Sequence, residues 1–196
     1  MQWDNVRLPR MEWENVKPAP GRLVVVQRFV NTRTYLTGGD LLAEAEEATT
    51  WLTEHGLLGA GERLDEAGRR RLLAFREVLR GLLVTHNGGA GADVKALNDL
   101  VASTTLKVAF EPDGRLALVP SGEGGPADRV LGRLLAVMVR TEAEGTWKRL
   151  KACRNEDCRW AFYDASKNRS GSWCNMAVCG ARHKMRTYRR RKLESP

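Results

Sequence analysis

Apolar residues recur at helical spacing in four segments of the chain. Within each segment they fall three and four residues apart, which is the pattern of an amphipathic helix with one buried face. Asp40 opens the first segment and Gly56 ends it, Asp65 stands near the start of the second, and Asp93 caps the third. The predicted helices cover residues 40–56, 65–84, 93–102 and 127–144.

Shorter runs predict β-structure. Residues 22–30 read RLVVVQRFV, a short β-branched run that predicts a strand leading into a polar turn at 31–33. Residues 106–110 and 116–119 flank a Pro-Asp-Gly turn, which predicts a hairpin. The fold class expected for this part of the chain is α+β, mostly helical with a small β-hairpin.

Composition excludes several classes of protein. The chain has 196 residues, 42% of them hydrophobic and 29% charged, which is enough apolar material to bury a core. A collagen-like, wholly disordered or disulfide-scaffold protein would not have this composition. No apolar run reaches the roughly 18–20 residues of a membrane span, and the N-terminus lacks the apolar stretch of a secretory signal. We therefore expect a cytoplasmic protein with no membrane partner.

Charge and cysteine content both change near the C-terminal quarter. Residues 1–146 hold 18 Lys and Arg against 20 Asp and Glu, a net charge of −2, whereas residues 147–196 hold 14 against 4, a net charge of +10. All four cysteines lie in this second segment. The predicted organisation is an N-terminal arm at 1–20, a helical domain at 21–146 and a small basic domain at 147–196.

The predicted arm contains a near-repeat, WDNVR at 3–7 and WENVK at 13–17. Two copies cannot build a repeat architecture, so the pattern predicts an arm that orders on demand or a strand pair.

The spacing of the cysteines predicts a zinc site. Four residues separate Cys153 from Cys158, four separate Cys174 from Cys179, and fifteen lie between the pairs. Two close pairs of thiolates supply the four soft ligands of a tetrahedral Zn²⁺, which we expect once per chain and in a structural role. Two disulfides, an iron–sulfur cluster or unrelated thiols are the alternatives, and His183 is an alternative ligand.

Neighbouring residues support a small folded unit around the metal. Four cations are expected to help keep the thiolates deprotonated: Lys151, Arg154, Arg159 and Arg182. Five aromatic residues are expected to form its core: Trp147, Trp160, Phe162, Tyr163 and Trp173. About fifty residues with a high net charge bury little surface, so the metal supplies the missing stabilisation.

The chain beyond the last cysteine predicts a basic helix. No glycine or proline lies between Gly180 and Lys192, so a helix that begins near Trp173 is expected to reach Lys192, with Met185 and Tyr188 on a face suited to packing. Seven basic residues and no acid fall within this last stretch, and they repel one another unless a polyanion neutralises them. The predicted DNA contacts are Arg182, Lys184, Arg186, Arg189, Arg190 and Arg191.

Several of these motifs resemble known families. Four resemble the CGNR zinc finger: WKRLKAC at 147–153, CRWAFYD at 158–164, WCNM at 173–176 and CGAR at 179–182. Three resemble its usual partner, the ABATE domain of stress-induced transcription regulators: FVNTR at 29–33, GDLL at 39–42 and WL at 51–52. The Asn that gives the CGNR motif its name is replaced by Ala181.

The resemblance implies a bacterial, nucleoid-associated transcription regulator. Its C-terminal zinc-bound domain would bind duplex DNA, and its N-terminal domain would sense an effector or form a homodimer. Asn31 and Arg33 are the candidate effector contacts, and the alternative is that they satisfy backbone groups near the turn. An RNA-binding protein and an adaptor for acidic partners are alternatives for the same basic tail.

Catalytic motifs are missing from the sequence. It contains no GxxxxGK[ST] or GxGxxG phosphate-binding pattern and no HExxH or GxSxG. His55 and His86 stand at predicted helix ends, where solvation is the ordinary explanation. The protein is therefore not expected to be an enzyme.

Overall fold

A computed structural model describes residues 16–194, so most of the predicted arm and its near-repeat lie outside the described residues. The described part is an α+β structure in which helices predominate, which confirms the predicted fold class. Its helices are α1 (Leu23–Val30), α2 (Ala45–Glu54), α3 (Glu66–Thr85), α4 (Val94–Val101), α5 (Pro126–Ala143) and α6 (Ala181–Glu194). Its strands are β1 (Leu106–Phe110), β2 (Leu116–Pro120), β3 (Leu150–Ala152) and β4 (Ala161–Tyr163). A 3₁₀ turn at Trp147–Arg149 precedes β3, and a π-helical turn at Met176–Gly180 precedes α6.

The segment predicted as a strand is the helix α1, so that prediction is wrong. Leu23, Val26 and Val30 are fully buried at helical spacing, and Gln27 lies on the same face. Valine favours a strand, but the whole scale of intrinsic β-propensities spans only about 1 kcal/mol. Packing this face against α3 and α5 outweighs that preference, because each fully buried Val or Leu contributes roughly 1.5–3 kcal/mol.

The helix predicted from Asp40 begins later, as α2. Asp40 instead forms a β-bridge with Arg33, and its carboxylate accepts hydrogen bonds from two guanidinium nitrogens of Arg76 at 2.7 and 2.8 Å. It also accepts from the backbone N–H of Leu42 at 3.0 Å. An N-cap side chain must accept from the first turn of its helix. The ion pair with buried Arg76 removes Asp40 from that role.

The other predicted helices and the hairpin are confirmed. Asp65 and Asp93 each accept a backbone hydrogen bond from the third residue beyond them, at 2.7 and 2.8 Å, and so cap α3 and α4. Gly56 follows α2 with a φ of +65°, the left-handed conformation in which helices often end. β1 and β2 pair antiparallel across the Pro-Asp-Gly turn.

One hydrophobic core runs from the N-terminal helices into the cysteine-rich segment. Its centre lies between α1, α3 and α5, where the rings of Phe29 and Phe75 are 6.4 Å apart. The same cluster continues into Trp147, Leu150 and Ala161. β3 packs against α3 and β4 packs against α1. Buried apolar contact therefore joins the two segments that composition separates.

The β1–β2 hairpin packs on α5 at Gly132. A Cβ atom at this position would lie 3.1 and 3.2 Å from ring carbons of Pro120 and 3.3 Å from a methyl carbon of Leu106. A glycine inside a helix costs about 1 kcal/mol relative to alanine. Here its missing side chain is what allows β2 to approach α5.

Candidate metal centre and nucleic-acid interface

Four cysteine sulfurs meet at one point of the structure. The Sγ atoms of Cys153, Cys158, Cys174 and Cys179 all lie within 4.8 Å of one another. Cys158 and Cys174 are 3.6 Å apart, and Cys174 and Cys179 are 3.7 Å apart. Sulfurs around a tetrahedral zinc with bonds of about 2.3 Å are separated by about 3.8 Å. The cluster therefore has the spacing of a four-thiolate zinc site and contains no disulfide.

Proximity makes these thiols difficult to ionise together. Hydrogen bonds from Cys158 and Cys174 lower the pKa of Cys153, so this thiol ionises first. Its thiolate then accepts from the other two and raises the pKa of Cys158 and of Cys174. A divalent cation at the centre would offset the repulsion between neighbouring thiolates and would stabilise the ionised form of the cysteines. The donor set thus fits Zn²⁺, which would act there as a structural cross-link.

Each cysteine pair lies in a tight turn. Cys153 follows β3, and its N–H bonds to the carbonyl of Trp160 at 2.9 Å, so the first pair occupies the tip of the β3–β4 hairpin. Arg159 closes this turn with a φ of +48°, a conformation uncommon for residues other than glycine. In the second pair, Cys174 precedes the π-helical turn and Cys179 lies within it, where its N–H bonds to the carbonyl of Asn175 at 2.9 Å.

A buried ion pair holds the loop between the two cysteine pairs. Lys151 Nζ lies 2.7 Å from a carboxylate oxygen of Asp164, and both side chains are at most 5% exposed. The carboxylate also accepts from the backbone N–H groups of Ser166 and Gly171 at 3.0 and 2.8 Å. Burial by itself would raise the pKa of Asp164, but these hydrogen bonds outweigh it and lower the pKa to about 2.

Two cations predicted to keep the thiolates ionised have other partners. Lys151 forms the ion pair with Asp164, and Arg154 Nε donates to the carbonyl of Asn87 at 2.8 Å. A side-chain group that contacts the cluster is the amide of Asn155, whose Nδ2 lies 3.7 Å from the sulfur of Cys179. Sequence reasoning missed this contact, because nothing in the spacing distinguishes Asn155 from a solvated turn residue.

The predicted aromatic core is divided between two clusters. Trp160 and Trp173 pack beside the cysteines, whereas Trp147 and Tyr163 join the main core. The ring of His183 lies 4.8 Å from that of Trp173. Within residues 16–194 the clustered ligand atoms are the four sulfurs, so His183 does not take a ligand position.

The six residues predicted to contact DNA all lie on α6 and are exposed. Nearly every described side chain in 182–192 is exposed, so the helix projects from the zinc-binding segment. Arg182, Arg186 and Arg189 share one face, because they are four and three residues apart. Arg186 also forms an ion pair with Asp157, which lies between the first two cysteines.

Two details of this helix differ from the prediction. It begins at Ala181 and not near Trp173, because the preceding residues form the π-helical turn that contains Cys179. Met185 and Tyr188 were expected to pack, yet they are 56% and 68% exposed. A short helix without a packed face is marginal by itself, so α6 depends on the turn that the cysteines anchor.

Asn31, one of the two predicted effector contacts, instead joins the two segments. Its Nδ2 donates to the carbonyl of Ala161 at 2.8 Å, and its Oδ1 accepts from the N–H of Ala161 at 2.8 Å. The amide thus pairs with β4 as a neighbouring strand would. Arg33, the other predicted contact, lies 3.7 Å from Asp40 and over the ring of Tyr35. The structure does not bring Asn31 and Arg33 together in a pocket, because the amide faces β4 at the junction.

Other polar residues of this junction escaped sequence analysis. Gln27 and Arg80 donate to backbone carbonyls of the zinc-binding segment at 3.3 and 3.1 Å, and Asn87 does so at 2.8 Å. Gln27 and Arg80 lie on the buried faces of α1 and α3. A polar residue within an apolar stripe is costly unless it is paired, and that is the signal that could have revealed them. Asn87 stands in a glycine-rich loop and carries no such signal.

The two histidines expected at solvated helix ends face inward, so that interpretation is wrong. His55 is 1% exposed and stacks on Trp51 with ring centroids 3.8 Å apart. His86 is half-buried, and its Nδ1 lies 2.8 Å from the carbonyl of Leu150 at the junction. Burial lowers the pKa of both imidazoles.

The fold and the cysteine cluster define a zinc-finger protein in which a helix-dominated domain carries a finger that ends in a basic helix. Residues 23–144 match the ABATE family, whose description is "Putative stress-induced transcription regulator", and residues 149–192 match the CGNR zinc finger. The protein belongs to the ABATE family, since that match covers more than half of the chain. A search of curated proteins finds no match. Among the described residues, no helix is both long and apolar enough to cross a bilayer.

Proposed function

We propose that the protein is a transcription regulator that binds duplex DNA through α6. The observation that carries this proposal is an exposed helix with basic residues on every side, attached directly to the four-cysteine site. An α-helix fits the major groove of B-DNA, and a rigid mount fixes the helix at one angle. Metal loss would release that mount, so binding should require zinc.

The proposal assigns two roles to the basic residues. Arg182, Arg186 and Arg189 share a face that would approach base edges, where a guanidinium donates two hydrogen bonds to guanine. Lys184 and Arg191 lie on the opposite side of the helix and Arg190 lies at the edge of that face. These three would contact phosphates, which add affinity but little sequence preference.

The ion pair between Arg186 and Asp157 is compatible with this role. Both side chains are about 60% exposed, and ion pairs with such exposure contribute only about 0–1 kcal/mol. DNA can therefore displace Asp157 at little cost. Asp157→Asn removes a carboxylate beside the proposed interface, and we expect it to tighten DNA binding several-fold.

Selection from a random duplex pool tests the proposal. The zinc-loaded full-length protein at about 150 mM salt should enrich a consensus that disappears when the metal is chelated. Arg182→Ala should weaken binding and relax the consensus. Arg191→Ala should weaken all duplexes alike and reduce the salt dependence by about one phosphate contact.

Three outcomes would contradict this assignment. Equal effects of Arg182→Ala and Arg191→Ala would refute the division of roles. Stronger competition by tRNA than by duplex DNA at fixed salt would favour an RNA-binding protein. Co-purification of an acidic protein without any duplex preference would favour an adaptor.

The wider setting is part of the same proposal. The regulator would act in the bacterial cytoplasm, associated with the nucleoid, with the helical domain as its effector-binding or dimerisation module and no catalytic role. A homodimer would select a palindromic operator, because half-sites mirror the symmetry of the protein.

A further inference from the structure

A cleft of about 1430 Å³ lies in the helical domain. Its walls are α1, the end of α2, strand β2 and α5. Apolar side chains cover much of the surface, among them Val25, Leu118 and Val137. Ligand pockets commonly occupy about 300–1,000 Å³, so this cleft can admit a small organic molecule.

Three residues that line this cleft each carry a buried nitrogen atom that has no hydrogen-bond partner within residues 16–194. The atoms are Arg28 Nη1, Arg133 Nη1 and His55 Nε2. Buried polar groups are nearly always paired, and an unpaired charged donor is the most costly kind. A concentration of three such atoms around one cleft, from α1, the residue after α2 and α5, indicates a site whose partner is a ligand.

The charges of the cleft leave these arginines available. Arg115 and Arg140 also line it, but Arg115 pairs with Glu111 at 3.1 Å and Arg140 pairs with Glu144 at 2.9 Å. Among the described residues, no carboxylate lies within ion-pair distance of Arg28 or Arg133. The charge of Arg133 acts on Glu62, which is itself paired with Arg129. The cleft therefore offers two partly exposed guanidinium groups, each with one unpaired buried nitrogen, to a bound molecule.

His55 adds a hydrogen-bond acceptor to the donors that the two arginines supply. Its Nδ1 lies 2.8 Å from the carbonyl of Trp51, and a carbonyl only accepts, so Nδ1 carries the proton. Burial lowers the pKa of His55, and the charge of Arg28 lowers it further. The neutral ring leaves Nε2 as a hydrogen-bond acceptor that faces no donor in the described chain.

We infer that this cleft binds a small organic anion with an acid group, a hydroxyl or N–H donor and an apolar body. The acid group accepts from Arg28 and Arg133, the donor bonds to His55 Nε2, and the apolar body packs on Val25 and Leu118. Carboxylates and phosphates both suit two guanidinium groups.

The position of the cleft connects it to the zinc finger through α1. Gln27 bonds to the carbonyl of Ala161 in β4, and the next residue, Arg28, lines the cleft. A ligand on Arg28 therefore acts on the helix that carries the junction. Calling the ligand an effector rests on the proposed regulatory function, whereas its binding does not.

Calorimetry on the zinc-loaded full-length protein tests the site with four probes. Salicylate and phenyl phosphate carry an acid group on an apolar ring, benzoate lacks the hydroxyl of salicylate, and benzyl alcohol lacks the acid. We expect salicylate to bind about fivefold more tightly than benzoate, with no detectable binding of benzyl alcohol. Whichever of salicylate and phenyl phosphate binds more tightly identifies the acid group.

Substitutions locate the binding. Arg28→Met and Arg133→Met should each weaken salicylate at least tenfold, and His55→Phe, which keeps the stack on Trp51, should abolish the preference over benzoate. Arg115→Met is the matched control, because its guanidinium already pairs with Glu111, and it should change affinity less than twofold. If a methionine variant does not fold, Arg28→Lys should show a smaller loss at unchanged stability.

Two results would overturn the inference. One is that neither salicylate nor phenyl phosphate binds at about 5 mM, a concentration well above the dissociation constants of specific ligands. The other is that binding survives both Arg28→Met and Arg133→Met. If either result occurs while the protein still selects a duplex consensus, the ligand site is refuted and the proposed DNA-binding function is not, because duplex selection tests α6.

Discussion

The amide of Asn31 should be a principal link between the helical domain and the zinc finger. Asn31→Ala removes both hydrogen bonds to Ala161, which is fully buried. The carbonyl of Ala161 keeps the bond from Gln27 at 3.3 Å, but its N–H is left without this acceptor. An unsatisfied buried donor costs about 1–3 kcal/mol and the second lost bond about 1 kcal/mol. We therefore expect a loss of about 3 kcal/mol in the free energy of unfolding.

Urea unfolding at a fixed excess of zinc measures this loss. Tryptophan fluorescence follows the core, since Trp51 and Trp147 are buried in it, and a chromogenic chelator follows zinc release. With an m-value of about 2 kcal/mol/M, the midpoint should fall by about 1.5 M. Both probes should shift together, because the junction is part of the continuous core.

Asn98→Ala is the matched control, because Asn98 is exposed on α4. Exposed substitutions change stability by about 0.5 kcal/mol or less. If Asn31→Ala also stays within that range, the amide does not hold the junction. A shift of the zinc signal alone would show that the finger unfolds independently of the helical domain, which would refute the continuous core.

Substitutions at three other positions should each have a measurable effect. Cys174→Ser should remove the one bound zinc per chain, as measured by metal analysis of the purified protein. Asp164→Asn should destabilise the protein by about 2 kcal/mol near pH 6, because ionised Asp164 is stabilised in the folded state. This difference should be complete above about pH 5 and shrink as the pH falls towards 2, since the folded pKa is the lower one. Gly132→Ala should lower the melting temperature by a few degrees, because the added methyl group meets Pro120.

Each of these three substitutions has a control variant or an outcome that would contradict the prediction. A Cys174→Ser protein that keeps full zinc would show that Cys174 is not a ligand. For Asp164, the comparison is Asp157→Asn in an exposed ion pair, and a pH-independent difference for Asp164→Asn would contradict the depressed pKa. For Gly132, the control is Gly81→Ala in α3, where a Cβ meets nothing closer than 3.7 Å. Gly81→Ala should stabilise the protein by about 0.5–1 kcal/mol. If Gly132→Ala also stabilises it, the close contact between β2 and α5 at Gly132 is refuted.

Local patterns in the sequence determined much of this protein. The spacing of the four cysteines was sufficient to predict a zinc site, because two short chelate loops need little from the rest of the fold. Capping by Asp65 and Asp93 and the hairpin turn were equally predictable, since each depends on residues only a few positions apart. The motifs of the two families were readable for the same reason.

Contacts between distant residues were decided only by the tertiary structure. Consecutive valines indicated a strand, but burial against α3 and α5 made α1 a helix. The local sequence predicted Asp40 as an N-cap, but its carboxylate pairs with Arg76, thirty-six residues away. The same holds for Asn31, whose partner Ala161 is 130 residues distant. Pairing energies of this kind depend on which groups are brought together away from water, and no local window of sequence contains that information.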